Sequence, residues 1–257
     1  MFDPESSVPF RISRSKIDLF FNCPRCFYLD AGLGVKRPDT YPLTLNLAVD
    51  TLLKKEFDLH RAKQIAHPLM KKYGLDAVPF KHEKMDAWRE LDFGRGGIHY
   101  RHPETNFDVY GVVDDLWLNL KHELIVVDYK ATAKATPPTL DGNLGAQYKR
   151  QMEVYQWLFK QNDFPVSPLG YFVYVNGRKD AKAFDGKLEF DVSILPCRGD
   201  TAWIEPKLIE IKKCLLAPRP PERAADCPFC EYRQAAGEAL QPPATGAYPQ
   251  TGQVALW

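Results

Sequence analysis

Residues 123–132 read ELIVVDYKAT. Ile125, Val126 and Val127 have the β-branched, apolar character of a buried strand, yet the run ends in Asp128 and Lys130. A buried charge without a partner is costly, so two of them need a reason. Side chains alternate along a strand, so this pair projects from one face into one space. Upstream, GVVDD at 111–115 sets Asp114 in the same context, apolar residues followed by an acid. If the two segments are neighbouring strands, Asp114 and Asp128 converge beside Lys130. Carboxylates forced together repel unless a cation lies between them. Oxygen ligands suit a hard ion, Mg2+ or Mn2+, which keeps several waters and bridges to phosphate. With an ammonium alongside to orient water, the group reads as equipment for metal-assisted phosphodiester hydrolysis. The plainer alternative is a strand-end ion pair with a surface acid nearby.

Working outward, NFDVYGVVDDLWLNL and ELIVVDYKAT read as paired strands joined by a polar turn near Lys121 and His122. GNLGAQYKRQMEVYQWLFKQ predicts a long helix, LGYFVYVNG a further buried strand, and KLEFDVSIL an edge strand. DTAWIEPKLIEIKKCLLA predicts a last amphipathic helix. On the N-terminal side, SRSKIDLFFNCPRCFYLDAGLG reads as a Ser-capped helix running into a cysteine-bearing turn. LTLNLAVDTLLKKEFDLHRAKQ carries Leu45, Val49, Leu52, Leu53 and Phe57 at helical spacing, and 64–95 suggest one or two more helices. No internal repeat is present. The order of elements implies an α/β architecture, a mixed β-sheet flanked by helices. One domain is expected over 1–235, then a Pro/Gly/Ala/Gln-rich flexible tail over 236–257.

Composition narrows function. A chain of 257 residues with 45% hydrophobic content buries a real core. A net charge of +1 means that nucleic-acid contact must come from a local patch. No run of about 18 apolar residues is present, so no membrane span is expected. The opening MFDPESSVPF lacks the regions of a signal peptide, which points to a reducing cytoplasm. There, six cysteines are thiols or metal ligands rather than disulfides. Cys23 and Cys26 (CPRC) and Cys227 and Cys230 (CPFC) form two C-x-x-C pairs, and two such pairs make a four-thiolate metal site. Such a site would staple the N-terminal segment to the C-terminal helix. Cys197 and Cys214 read as ordinary core thiols.

Taken in order, G-x-V-D (Gly111 to Asp114), VVDYK and QYKRQMEVY resemble the RecB-type branch of the PD-(D/E)XK nuclease superfamily. The resemblance implies a restriction-endonuclease-like core. It makes Asp114 and Asp128 metal-binding acids, with the Tyr129 carbonyl as a further ligand and Lys130 as the catalytic lysine. Tyr148, Gln151 and Tyr155 share one helix face, where the family places groups that position DNA and the catalytic residues. The family's early-helix histidine ligand is missing; Asp50 stands in its place, as a substitute oxygen ligand or as a partner of Lys54 one turn on. Several RecB-type nucleases, AddB and CRISPR-associated members among them, tie one N-terminal cysteine to three C-terminal ones through a [4Fe–4S] cluster. Here no third cysteine follows Cys230, so Cys26 or Cys214 must complete the four; Cys26 is preferred, which gives Cys23, Cys26, Cys227 and Cys230, and Zn2+ is the alternative occupant.

The expected function is therefore a metal-dependent DNA nuclease, a RecB-like exonuclease of repair or recombination. Its substrate would be single-stranded DNA or duplex ends, with Arg25, Phe27 and Tyr28 as added stacking and phosphate contacts. The rival is a catalytically quiet DNA-binding module that keeps the fold. A thiol–disulfide protein is disfavoured, because neither C-x-x-C lies in a strand-to-helix redox setting. Finally, QVALW at 253–257 resembles the peptide by which bacterial repair proteins dock on the DNA sliding clamp, with Gln253, Leu256 and Trp257 in the matching positions.

Overall fold

The structure is a computed structural model and describes residues 1–39, 43–90 and 96–240. In chain order the elements begin with β1 (Phe10–Ser13), α1 (Arg14–Asn22), α2 (Pro24–Phe27), a π-helical turn at Tyr28–Gly32 and α3 (Thr44–Lys63). Next come α4 (Pro68–Lys72), β2 (Ala77–Pro79), α5 (Met85–Arg89), β3 (Ile98–His102), β4 (Phe107–Gly111) and β5 (Asp115–Asn119). The rest is β6 (Leu124–Thr132), α6 (Gly142–Gln161), β7 (Leu169–Gly177), β8 (Phe190–Arg198), α7 (Ile204–Leu216) and α8 (Pro228–Ala239). Gln253, Leu256 and Trp257 lie outside the described residues. So does most of the expected tail, whose first residues continue α8.

Strand β6 organises the rest. It is the middle strand of a five-stranded mixed sheet ordered β2-β5-β6-β7-β8, antiparallel to β5 and parallel to β7. A parallel neighbour requires a crossover, and α6 supplies it. Because side chains alternate, the two faces of β6 enter different layers. Leu124 and Val126 join the core under α6, with Met152, Leu158, Phe159 and Phe172. Ile125, Val127 and Tyr129 face α3, with Leu53, Phe57, Trp117 and Val173. The sheet is thus covered on both faces, which is why β6 reads as a continuous apolar run.

Two expectations need correction. The stretch around GVVDD is one run in the sequence but two strands in space. β4 belongs to a second, three-stranded sheet ordered β1-β4-β3, whereas β5 pairs with β6. The break follows Gly111, where a Cβ would lie 2.5 Å from the Tyr155 ring. Beyond it, Asp115 is drawn inward by Arg61, Arg89 and the Tyr129 hydroxyl. The buried side of α3 is also narrower than its leucines suggest. Leu53, Phe57 and Arg61 are buried, while Leu45 and Leu52 are 58% and 64% exposed. In 64–90 the helices are short, and β2 pairs with β5 between them.

Candidate active site

Ladder register brings the two acids together. Asp115 pairs with Val127 in the antiparallel β5–β6 ladder, which sets Asp114 opposite Asp128. Asp114 Oδ2 accepts the Tyr129 backbone N–H at 2.8 Å, locking the carboxylate against β6. Asp128 is 1% exposed, and the Lys130 ammonium pairs with its Oδ2, as two residues on one strand face must. The ammonium is the partner of that buried oxygen.

Helix α6 closes the site from above. Gln151 donates through Nε2 to Asp128 Oδ1 at 2.7 Å and accepts from Lys130 Nζ through Oε1 at 3.2 Å. One amide therefore fixes both charged groups. Tyr155, one turn on, is buried, with its hydroxyl 3.3 Å from Gln151 Nε2. Tyr148, one turn before, presents its ring to Lys130 Nζ at 4.5 Å. The expected face of α6 is assembled as a unit. Tyr129 points its side chain to the other face of the sheet, where its hydroxyl donates to Asp115 Oδ2 at 2.6 Å. A role in the site is open to it only through its backbone.

Two residues with no expected place in the site also enter, although Lys54 is expected as a partner for Asp50. Lys54, on α3, places Nζ 2.8 Å from Asp50 Oδ2 and 3.8 Å from Asp114 Oδ1. Asp50 is thus both paired one turn along its helix and brought to the site through that lysine. Arg14, first residue of α1, acts electrostatically on Tyr155, and its Nε is buried without a partner. Parallel pairing of Ser13 with Tyr110 carries Arg14 to the level of Gly111, under the Tyr155 ring.

Three acids and two ammoniums share this space. Burial, together with the charge of Asp128, pushes the Asp114 carboxyl up to about 7 against the pull of Lys130 and Lys54. Burial works against the Lys130 charge, but Asp128 and Asp114 outweigh it and hold its pKa above the ordinary lysine value. Carboxylates crowded so that one is driven toward its protonated form are a donor set that a divalent cation fits.

This geometry is that of a known group. The family described as the PD-(D/E)XK nuclease superfamily matches residues 44–235. The chain belongs to the PD-(D/E)XK nuclease superfamily. A search of curated proteins found no match. Solved chains match, one of them described as "Crystal structure of SSO0001", at 15% identity and a TM-score of 0.39, covering 85% of this chain and 82% of that one. That likeness is too loose to carry argument. Among the described residues no helix is long and apolar enough to cross a membrane.

Away from the acids, the four predicted cysteines meet. Cys23 N-caps α2 and Cys227 N-caps α8, each followed by proline, and Cys26 and Cys230 lie in the first turns. All four are buried, and their sulfurs lie within 4.8 Å of one another. Burial tends to raise the Cys23 thiol, but N–H donors from Ala224 and Cys26 bring it down to about 7. Burial and the neighbouring sulfurs push Cys230 up to about 12. Cys197 and Cys214 lie elsewhere, in the α6-side core.

The expected stacking residues beside this centre are structural. Phe27 is fully buried against Phe20, and Tyr28 donates to the Ala217 carbonyl. Arg25 is held through Nε by the Pro221 carbonyl. A helix that must bring two cysteines inward turns its aromatic neighbours inward too.

Proposed function

We propose that this protein is a RecB-like, Mg2+- or Mn2+-dependent DNA nuclease of repair or recombination. One observation carries the reading: Asp114 stands opposite Asp128, and the two buried acids crowd together beside Lys130. Asp114, Asp128, the Tyr129 carbonyl and Asp50 would hold the ion, which supplies an activated water and neutralises charge on the phosphate. The water would give up a proton to solvent as it attacks phosphorus, one P–O ester bond would break, and the leaving oxygen would take a proton from solvent. Lys130, paired with Asp128 and held also by the charge of Asp114, stays charged and acts as a donor, orienting the water and stabilising negative charge as it builds at phosphorus. Gln151 holds that ammonium and Asp128 in register, and Tyr148 confines it from the open side. The exposed part of Tyr148 gives a base a ring to stack on, as single strands and frayed duplex ends require.

The test is cleavage of labelled single strands and duplex ends with Mg2+ or Mn2+. Asp128→Asn and Lys130→Ala are expected to lower the rate at least a hundredfold, with circular dichroism unchanged. Full activity in both variants would leave the rival, a catalytically quiet DNA-binding module. For QVALW we propose docking on a sliding clamp, with Leu256 and Trp257 entering an apolar pocket. A tail peptide is expected to bind purified clamp more tightly than about 100 µM, roughly −5.5 kcal/mol. Affinity unaffected by Leu256→Ala and Trp257→Ala would reject this mode.

A further inference from the structure

We propose that the four-cysteine centre holds one zinc ion, and that this ion is what docks α8 on the nuclease core. The argument begins with the space between the sulfurs. Zn–S bonds of about 2.3 Å in a tetrahedron put the sulfurs about 3.8 Å apart. The distances are 3.5 Å for Cys26–Cys230, 3.6 Å for Cys26–Cys227 and 3.7 Å for Cys23–Cys230, and no pair exceeds 4.8 Å. A tetrahedron with edges in that range has its centre about 2.1 to 2.9 Å from each sulfur, a span that contains the single-ion Zn–S distance of about 2.3 Å. A [4Fe–4S] cage has an iron bonded to each cysteine and four sulfides between the irons, so its thiolates stand well outside that range. The four-iron cluster does not fit the cavity as built.

The flanking groups agree with thiolate ligands to one cation. Arg37 directs Nη2 to Cys227 Sγ at 3.5 Å, and the Ala224 N–H points at Cys23 Sγ at 3.5 Å. Four thiolates around one divalent ion leave two negative charges, and these donors offset part of them. Arg37 also lies over the Phe229 ring at 4.4 Å, sealing the centre from the chain that follows the π-helical turn. Between the tetrahedral thiolate alternatives, a redox-inactive ion on a structural staple is zinc, which also binds such ligands more tightly than Fe2+.

The docking role comes from α8 itself. Cys230 is the only one of its twelve residues that is buried. Tyr232 and Leu240, beside and after it, are 75% and 85% exposed. A helix that buries no apolar stripe has no hydrophobic reason to stay in place. Its attachment comes chiefly through the sulfurs, with Phe229 packed beside them under Arg37.

The experiment uses the full chain, purified anaerobically from cells supplied with both iron and zinc. Metal content and the visible spectrum are read together. The expected result is one zinc per chain, colourless protein, and the same zinc content in Asp128→Asn, which separates this centre from the acid site. Protein refolded with Co2+ in place of zinc is expected to show the intense visible bands of tetrahedral cobalt thiolate. Brown protein with about four irons per chain, red protein with one iron, or protein with no bound metal would each overturn the assignment. None of these readouts depends on nuclease activity.

Discussion

Lys54 stands where a metal-dependent site has most use for positive charge, between Asp50 and Asp114. Its ammonium is a cation that the chain supplies itself, and a divalent ion must compete with it for the same carboxylates. At about 4 Å, two unit charges interact by about 4 kcal/mol at an effective dielectric of 20, and partial exposure of Lys54 reduces that. Lys54→Gln is therefore expected to tighten Mn2+ binding about tenfold, or about 1.4 kcal/mol, in a titration followed by electron paramagnetic resonance. Unchanged or weaker binding would show that the lysine only holds Asp50 in place. The sequence offered Asp50 two roles, metal ligand or partner of Lys54, and helical spacing alone does not separate them. The structure shows the pairing and also the approach to Asp114, because the buried face of α3 rests on β6 and its next turn overhangs the acids. Asp128 and Lys130 were legible because a two-residue strand period dictates their shared face. Lys54 and Arg14 were not, since a charge one turn from a motif resembles any solvated helix charge until tertiary packing sets its direction.

Gly111 shows the same limit one level up. In the sequence it is a residue of a family-like motif; in space it is where one strand ends so that another can begin in a different sheet. The Tyr155 ring occupies the volume that any side chain at 111 would need, with Cε1 2.5 Å from the position of a Cβ. Tyr155 is buried against β4 and touches Gln151, so it cannot yield without disturbing the amide that holds Asp128 and Lys130. Overpacking of this kind costs typically about 1–3 kcal/mol. Gly111→Ala is expected to lower the stability measured by urea unfolding by that amount and to reduce cleavage more than the stability loss alone explains. Wild-type activity at unchanged stability would mean that the ring moves freely. Helix α6 and strand β7 were readable to their ends because long periodic patterns dominate there. The split between β4 and β5 was hidden, since both halves are apolar and the residues that separate them, Tyr155, Arg61 and Arg89, are distant in the chain. Buried arginines explain the misjudged side of α3 as well: Arg61 reads as surface, yet it reaches the fully buried Asp115 beside Arg89.

Across the whole molecule, the cysteine centre joins segments about two hundred residues apart. Cys26 on the N-terminal side meets Cys227 and Cys230 on the C-terminal side, so one ion closes a loop that contains every strand except β1, together with Asp114, Asp128 and Lys130. Closing so long a loop removes several kcal/mol of entropy from the unfolded chain, a benefit that disappears with the ion. The two sides of the staple differ in what else holds them. The N-terminal side has its own attachments: α1 contributes Ile17 to the core, Arg150 on α6 pairs with Asp18, and Tyr28 bonds to Ala217. The C-terminal side has few beyond the sulfurs and the bonds from Arg25 to Pro221 and Glu222. Removal of the metal by a chelator under reducing conditions is thus expected to act in two stages. Amides of α8 should exchange within the first time point of a hydrogen-exchange experiment, while those of β6 and β7 stay protected and the melting temperature falls by several degrees. Because α8 lies apart from Asp114, Asp128 and Lys130, cleavage measured below the lowered melting temperature should survive. If α8 and β6 instead lose protection together, the staple is part of the cooperative core, and the two ends of the chain do not unfold independently of the nuclease.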